Sequence, residues 1–273
     1  MLKSRLITAL LLGAVFIGAL FSLSDILWAL FLLIFISIGA WEWGGLTGST
    51  QRNRLIFSGT LLLFGLFLLP GLAAFESIRQ WATVVLIVSS TVFWLLLAPL
   101  WLAKGWKLQN TYLAALVGTL LLLPPWIALV DLRHIGPEVV LVVMLTVALA
   151  DSAAYFSGKR FGKRKLALHI SPGKTWEGLY GALAAVGLFA TLLCVWLHWS
   201  VWFVVGFLAI VILSVMGDLF ESLMKRHAGK KDSGSILPGH GGVLDRIDGL
   251  TSTLPLVAFY VYLPFYLSML LAR

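Results

Sequence analysis

Long, continuous apolar segments constrain the fold of this chain more than any other feature of its sequence. An α-helix needs about 20 mostly apolar residues to cross a bilayer. About nine segments have this length and composition, with boundaries near residues 6–22, 26–43, 55–74, 81–100, 111–130, 138–157, 177–197, 201–219 and 250–271. Since 60% of the residues are hydrophobic and only 12% are charged, the composition excludes a soluble globular domain. We therefore predict an all-α, polytopic integral membrane protein with about nine transmembrane helices.

The basic residues indicate how these helices are oriented, because cytoplasmic loops of membrane proteins carry an excess of Lys and Arg. With nine helices and a cytoplasmic N-terminus, 17 of the 20 basic residues fall on the inner side, and only Arg79, Arg133 and Arg273 fall outside. We therefore predict a cytoplasmic N-terminus, an external C-terminus, and a first helix that is retained rather than cleaved as a signal peptide. The net charge of +8 follows from this topology, so nucleic acid is not an expected partner.

Polar and charged residues of the kinds that form binding sites are concentrated in the second half of the chain. We predict a single integral membrane domain over residues 1–273, in which 1–137 form hydrophobic helices and 138–273 form the catalytic half. Two inner loops, at about 158–176 and 220–249, hold 11 of the 20 basic residues. These loops are where we expect a binding or catalytic site.

Residues near helix ends in the N-terminal half have ordinary interpretations. Most of the tryptophans, Trp28, Trp43 and Trp126 among them, lie near predicted span ends. This position is typical of a belt that anchors a protein at the membrane interface. Glu42, in the same stretch, is expected to pair with a basic residue of a loop, and a functional role is the less favoured alternative.

Two acidic residues adjoin the polar loops from within the predicted membrane helices. Asp151 lies in the sixth segment, and Asp218 ends the eighth. A charge at the centre of a membrane helix costs about 2.5–3.5 kcal/mol on insertion scales, so such a residue normally has a partner or a function. An ion pair with Lys or Arg is the structural interpretation, and a role in binding or catalysis is the functional one.

The second loop has the residue types that bind phosphates and a hard cation. Gly241 and Gly242 allow backbone amides to approach a ligand closely, as phosphate-binding loops require. Asp245 and Asp248 are three residues apart where the last helix opens, so they share one face of it. With Asp218 from the preceding helix, three carboxylates are available, and oxygen-only ligands favour Mg²⁺ over zinc. We predict a Mg²⁺ site here, with a second cation as an option.

The first loop contains a Gly-Lys-Thr sequence that invites comparison with a P-loop. That motif requires a glycine five residues earlier, where this chain has Leu168, and no strand of a buried sheet is predicted before it. The nucleotide-binding P-loop is therefore excluded. Ser171, Lys174 and Thr175 still place a cation and hydroxyls at the start of a helix, which favours anion binding. The basic run at 158–165 suits either phosphates or anionic lipid headgroups.

These motifs resemble a known family. Residues 222–248 follow the pattern Ser-x-hydrophobic-Lys-Arg, four residues, Lys-Asp, then hydrophobic-Pro-x-His-Gly-Gly-hydrophobic-x-Asp-Arg-hydrophobic-Asp. This pattern resembles the signature of the phosphatidate cytidylyltransferases, also called CDP-diacylglycerol synthases. The stretches 151–159 and 171–178 are also similar to that family, except that Gly173 stands where the family pattern has lysine. The resemblance covers motifs of the C-terminal half.

The resemblance implies that CTP and phosphatidate are converted to CDP-diacylglycerol and pyrophosphate for phospholipid biosynthesis. It further implies a requirement for Mg²⁺, a location at the inner face of the bacterial cytoplasmic membrane, and a homodimer. The chemistry is consistent with these residues. The phosphate of phosphatidate is already ionised near neutral pH, so the main task is to neutralise and position two polyanions.

We assign expected roles to the residues of the two loops on this basis. The expected catalytic residues are Asp218, Lys225, Arg226, Lys231, Asp232, His240, Asp245, Arg246 and Asp248. The expected CTP and phosphate contacts are Asp151, Ser171, Lys174, Thr175, Gly241 and Gly242. Within these sets Asp218, Asp245 and Asp248 are the expected metal ligands, and His240 is expected to orient a phosphate.

Two other functions are compatible with parts of the sequence. A transporter also carries acidic residues inside the membrane. Here, however, the acids cluster at one face and do not form a chain across the bilayer. A CTP-using lipid kinase would share a nucleotide and Mg²⁺ site. It would transfer a phosphate group to the lipid, whereas a cytidylyltransferase transfers CMP.

Overall fold

The chain forms a bundle of helices in the computed structural model, which describes residues 2–69, 76–236, 239 and 241–271. The helices are α1 (Leu2–Ser22), α2 (Asp25–Leu46), α3 (Gln51–Phe67), α4 (Glu76–Val92), α5 (Ala98–Lys104), α6 (Thr111–Ile135), α7 (Pro137–Phe161), α8 (Trp176–Trp196), α9 (Trp202–His227) and α10 (Leu244–Leu271). A π-helical turn, Phe93–Leu97, joins α4 and α5 into one rod. The prediction of a helical fold is confirmed.

Seven helical segments among the described residues are long and apolar enough to cross a membrane. They are α2, the α4–α5 rod, α6, α7, α8, α9 and α10 up to Leu267. This confirms a multi-pass membrane protein. The described apolar part of α1, Leu10–Ser22, is shorter, and α3 has 17 residues. The count of nine spans and the orientation of the termini stay predictions.

A short antiparallel hairpin interrupts the helical pattern where the sequence indicated only a loop. Its strands are β1 (Lys165–Ala167) and β2 (Ser171–Thr175), with Lys165 opposite Thr175. The hairpin is anchored at its base because the Trp176 N–H donates to the Arg164 carbonyl at 3.0 Å. The basic loop between α7 and α8 is thus an ordered element rather than a free connection.

Three tryptophans predicted for the interfacial belt are buried between α2 and α6. Trp28, Trp43 and Trp126 expose 2% or less of their surface. Each indole N–H donates to a carbonyl of the opposite helix, at 3.3, 2.8 and 2.9 Å respectively. The belt interpretation is wrong for these three residues. Their large rings fill the space between two helices, and the N–H finds its partner there.

The helix that carries Asp245 and Asp248 lies at the centre of the bundle. α10 packs against α4, α6 and α9, and α9 packs in turn against α8. The main apolar core includes residues from both halves of the chain, such as Leu33, Trp126 and Leu254. The division at residue 137 into a hydrophobic and a catalytic half stays a prediction.

The ends of α2 identify the two ends of the bundle. Asp25, at its start, pairs with Arg133 near the end of α6 at 2.9 Å. Glu42, near its other end, contacts the start of α10. The polar loops therefore meet the end of α2 that lies farthest from Arg133.

Candidate active site

The hairpin lies against α9 and joins the two polar loops into one site. Lys174 on β2 pairs with Asp218 on α9, with 2.5 Å between Nζ and Oδ2. Its Nζ also lies 3.5 Å from the Val215 carbonyl. Arg226, the penultimate residue of α9, donates through Nε to the Ile170 carbonyl at 3.2 Å. The structure thus brings together residues that the sequence placed in two separate loops.

The hairpin is held in place from its α8 side. The Thr175 hydroxyl accepts a hydrogen bond from the Gly178 N–H at 3.1 Å and caps α8. The Glu177 carboxylate accepts from the backbone N–H groups of Lys163 and Arg164 at 3.0 and 3.2 Å. It also accepts from Arg164 Nε at 3.1 Å, and this hydrogen bond raises the pKa of the Arg164 guanidinium above its ordinary value. Glu177 is a positioning residue to which the sequence analysis gave no role.

Three carboxylates from three helices face a common region. Asp151 on α7, Asp218 on α9 and Asp248 on α10 are close enough for their negative charges to repel one another. The close contact between α9 and α10 depends on glycines. A Cβ atom on Gly217 would collide with the Asp248 carbonyl, and one on Gly249 would lie 2.5 Å from Ser214 Oγ. These small residues place Asp248 beside Asp218.

Asp245 has different surroundings from Asp248, although only three residues separate them. Its Oδ1 lies 2.6 Å from Lys225 Nζ. Its Oδ2 accepts from the Ser233 N–H, the Ser233 hydroxyl and the Gly242 N–H at 2.8, 2.9 and 2.8 Å. Lys225 also pairs with Glu221 at 2.5 Å. Asp245 is therefore engaged on both oxygens by protein groups.

Glu221 is a second residue that the sequence analysis missed. It is buried, and its Oε1 has no hydrogen-bond partner among the described residues. Its spacing of four residues from Lys225 on a helix was the signal available in the sequence. The pair stabilises Lys225 in the interior of the site.

The donor chemistry of Asp151, Asp218 and Asp248 fits a hard divalent cation. All are oxygen ligands, and their mutual repulsion is offset in part by Lys174. Among the residues that the structure describes, no group of three or more Asp, Glu, His or Cys side chains converges as it stands to hold an ion. The assignment of Asp218, Asp245 and Asp248 as ligands stays a prediction.

The remaining predicted residues differ in their surroundings. Lys231 and Asp232 are exposed in the loop between α9 and α10, and Ser171 is half-buried at the start of β2. Gly241 adopts a φ of 83°, which favours glycine. The Gly242 N–H, expected to face a phosphate, donates to Asp245 instead. His240 lies outside the described residues.

Glu42 contacts the loop in a way that the sequence did not indicate. The expected partner was a basic side chain. In the structure its carboxylate accepts from the backbone N–H groups of Val243 and Leu244 at 3.1 and 2.9 Å. The N-terminal half of the chain thus contributes directly to the site.

An apolar cavity of about 370 Å³ adjoins the site within the bundle. Side chains of α1, α2, α6, α7 and α10 line it, Phe16, Phe35, Leu129 and Met144 among them. Arg246 is the one charged residue among the described residues that line it. The cavity therefore pairs a hydrocarbon-like surface with a cation.

Comparison with known proteins extends the similarity to nearly the whole chain. Residues 3–264 match the model of the cytidylyltransferase family. A phosphatidate cytidylyltransferase of Pseudomonas aeruginosa is 40% identical, over 94% of this chain and 96% of its own length. Proteins of the same name from Haemophilus influenzae and Brucella suis are 35% and 34% identical, over 96% and 95% of this chain and 99% and 93% of their own lengths.

Proposed function

The chain belongs to the cytidylyltransferase family, and from this premise we propose how its site carries out CMP transfer from CTP to phosphatidate. The products are CDP-diacylglycerol and pyrophosphate, so the protein is a nucleotidyltransferase of phospholipid biosynthesis. One observation carries the assignment of the site. Lys174, in the first of the two loops with family motifs, meets Asp218, on α9 four residues before the second motif, in an ion pair.

The reaction places its main demand on electrostatics. A phosphate oxygen of phosphatidate attacks the α-phosphorus of CTP, a new P–O bond forms, and the bond to the bridging oxygen of pyrophosphate breaks. Because the attacking phosphate is already ionised, no strong base is needed. Lys174, Arg226, Lys231 and Arg246 are the cations that would neutralise the two substrates and the leaving group. The phosphate contact expected of Lys225 stays a prediction, because Glu221 and Asp245 hold that residue.

Mg²⁺ is the cofactor that we propose for this site. Asp218 and Asp248 would hold it, with Asp151 nearby. When bound, the ion supplies neutralisation of the phosphate oxygens and of the charge that develops on pyrophosphate. A second cation stays a prediction.

The apolar cavity supports a lipid substrate. An acyl chain of phosphatidate would occupy the space between α1, α2, α6, α7 and α10, and Arg246 would face its phosphate. This arrangement keeps the hydrocarbon inside the membrane while only the headgroup reaches CTP.

The location and assembly follow from the predicted topology and the family. We place the protein in the bacterial cytoplasmic membrane, with the active site on the cytoplasmic face, where CTP is available. The homodimer implied by the resemblance also stays a prediction, and the molar mass of the detergent-solubilised protein would test it.

The function is tested by following the label of CTP. Purified protein with Mg²⁺ and phosphatidate should transfer radiolabel from α-labelled CTP into chloroform-extractable lipid. Omitting phosphatidate or Mg²⁺ should abolish the transfer. Label that enters lipid only from γ-labelled CTP would indicate a kinase. Ion flux in liposomes without any lipid labelling would indicate a transporter.

A further inference from the structure

The segment between α9 and α10, residues 228–243, carries several expected catalytic residues, and its described residues, 228–236, 239 and 241–243, contain no helix. We call it the α9–α10 loop. Lys231 and Asp232 are exposed in it. A loop of this kind needs contacts with rigid elements to hold its catalytic groups in a productive geometry. The helix before it and the helix after it provide some of these contacts, and a third helix provides others.

That third helix is α2, which contacts the loop through Glu42. The side chain is buried, with 2% of its surface exposed. Its Oε1 accepts from the Val243 N–H at 3.1 Å, and its Oε2 accepts from the Leu244 N–H at 2.9 Å. Its Oε2 also lies 3.2 Å from the Ser233 hydroxyl. One carboxylate thus contacts Ser233 within the α9–α10 loop and the backbone where the loop joins α10.

The loop is shaped to fit around this carboxylate. A Cβ atom on Gly242 would lie 2.5 Å from both Glu42 oxygens, and one on Gly234 would collide with Oε1. Any side chain at either position would therefore displace Glu42 or the loop. Gly242, which the sequence suggested for phosphate binding, thus provides this close approach together with Gly234.

The surroundings stabilise a negative charge at Glu42. Among the described residues no Lys, Arg or His nitrogen forms an ion pair with it. Its partners are the N–H groups at the start of α10, where the helix dipole favours an anion. A second hydrogen bond joins the loop to α2, and here the loop is the donor. Lys230 Nζ donates to the Gly45 carbonyl of α2 at 2.9 Å.

Ser233 connects Glu42 to the interior of the site. Its hydroxyl lies between Glu42 Oε2 and Asp245 Oδ2, at 3.2 and 2.9 Å. Asp245 in turn holds Lys225. A chain of contacts therefore runs from α2 through the loop to α9 and α10.

We infer that Glu42 is a positioning residue for cytidylyl transfer. It holds the α9–α10 loop and the first turn of α10 in a fixed position relative to the Lys174–Asp218 pair, without touching the substrates. The inference rests on the proposed function for its effect on turnover. Its effect on the loop is independent of any substrate.

The test uses Glu42→Gln, which keeps the size of the side chain and removes its charge. The amide presents an N–H donor to groups that are themselves donors, so the loop loses part of its anchorage. Because a displacement of about 1 Å costs on the order of 100-fold in rate, we expect kcat to fall by 10- to 100-fold. The KM for CTP should change much less, since the cations that bind it remain. Glu138→Gln is the matched control, because Glu138 is exposed in the first turn of α7.

Amide hydrogen exchange of the full-length protein in detergent separates positioning from loss of stability. In Glu42→Gln, exchange should rise in peptides that cover 228–246 and stay unchanged in α6 and α8. Ser233→Ala is the second variant, because it removes the bridging hydroxyl and keeps the backbone contact to Asp245. It should produce a smaller change in the same direction.

Three results would overturn the inference. They are a kcat of Glu42→Gln within about twofold of the parent, unchanged exchange of the loop, and a uniform rise in exchange throughout the helices. If Glu42→Gln does not fold, parent-like loop exchange and kcat in Ser233→Ala would overturn it equally. If the parent protein transfers no CMP, the proposed function fails, while the exchange measurement still decides whether Glu42 holds the loop.

Discussion

At the scale of single residues, Asp245 and Asp248 show how two identical side chains in one helical turn acquire different surroundings. Asp245 Oδ2 has three hydrogen-bond donors, and its Oδ1 contacts Lys225. Among the described residues, the Asp248 carboxylate accepts one hydrogen bond, from the Gly249 N–H at 2.8 Å, and faces the negative charges of Asp218 and Asp151. The first arrangement stabilises the loop, and the second favours a cation.

Substituting the two carboxylates separately distinguishes these roles. Asp248→Asn should lower turnover by about 100-fold or more and raise the Mg²⁺ concentration needed for half-maximal rate, with little change in thermal unfolding. Asp245→Asn should lower the free energy of unfolding by about 2–4 kcal/mol, because it breaks a buried ion pair. Rate as a function of Mg²⁺ and unfolding in detergent measure the two effects. An Asp245→Asn protein of normal stability with a raised Mg²⁺ requirement would make Asp245 a metal ligand.

At the scale of secondary-structure elements, the β-hairpin shows how a basic loop becomes part of a site. Thr175 ends β2, and its buried hydroxyl caps α8 through the Gly178 N–H. The next residue toward the N-terminus, Lys174, reaches Asp218 on α9. The cap therefore sets both the start of a membrane helix and the position of a cation that we place at the CTP side.

Removing this cap should destabilise the protein by a modest, predictable amount. Thr175→Ala should lower the free energy of unfolding by about 1 kcal/mol, the usual cost of a lost N-cap. Thr175→Ser keeps the hydroxyl and should lie close to the parent. Thr91→Ala is the control, because Thr91 is also buried and its hydroxyl has no partner among the described residues. Equal unfolding midpoints for Thr175→Ala and Thr175→Ser would show that the cap contributes nothing.

At the scale of the whole molecule, contacts at the two ends of α2 identify the two opposite faces of the bundle. The Arg133–Asp25 pair marks one end, and the Glu42 contact with α10 marks the other. This separation agrees with the charge pattern, in which Arg133 is one of three basic residues outside. The relative placement of the faces is a structural result, and their assignment to cytoplasm and exterior is a prediction.

Cysteine labelling tests that assignment. The native Cys194 is buried in α8 and should react slowly with a membrane-impermeant maleimide. In intact cells Ser200→Cys, in the exposed α8–α9 turn, should be labelled. Lys107→Cys, exposed between α5 and α6, should be labelled only after the membrane is opened. The reverse pattern would invert the topology and place the active site outside.

Much of the fold could be predicted because apolar length is a local property of the chain. The segments near 138–157 and 201–219 correspond to α7 and α9, which end four and eight residues beyond their predicted apolar runs. The short strands could not be predicted in this way, since three and five residues carry too little periodicity to be distinguished from a loop. The buried tryptophans were misassigned for a related reason, because a position near a helix end does not show which side faces a neighbouring helix.

The sequence by itself determined the membrane-spanning helical class, the family resemblance and the residues of the two polar loops. The reason is that the length of an apolar segment and the spacing of a motif are local properties of the sequence. Only the tertiary structure decided which charges meet. It paired Lys174 with Asp218, separated Asp245 from Asp248, and brought Glu42 to Leu244 across 202 positions of the sequence. The physical reason is that a buried carboxylate takes its partners from whatever donors packing places around it, and packing between distant helices leaves no local pattern.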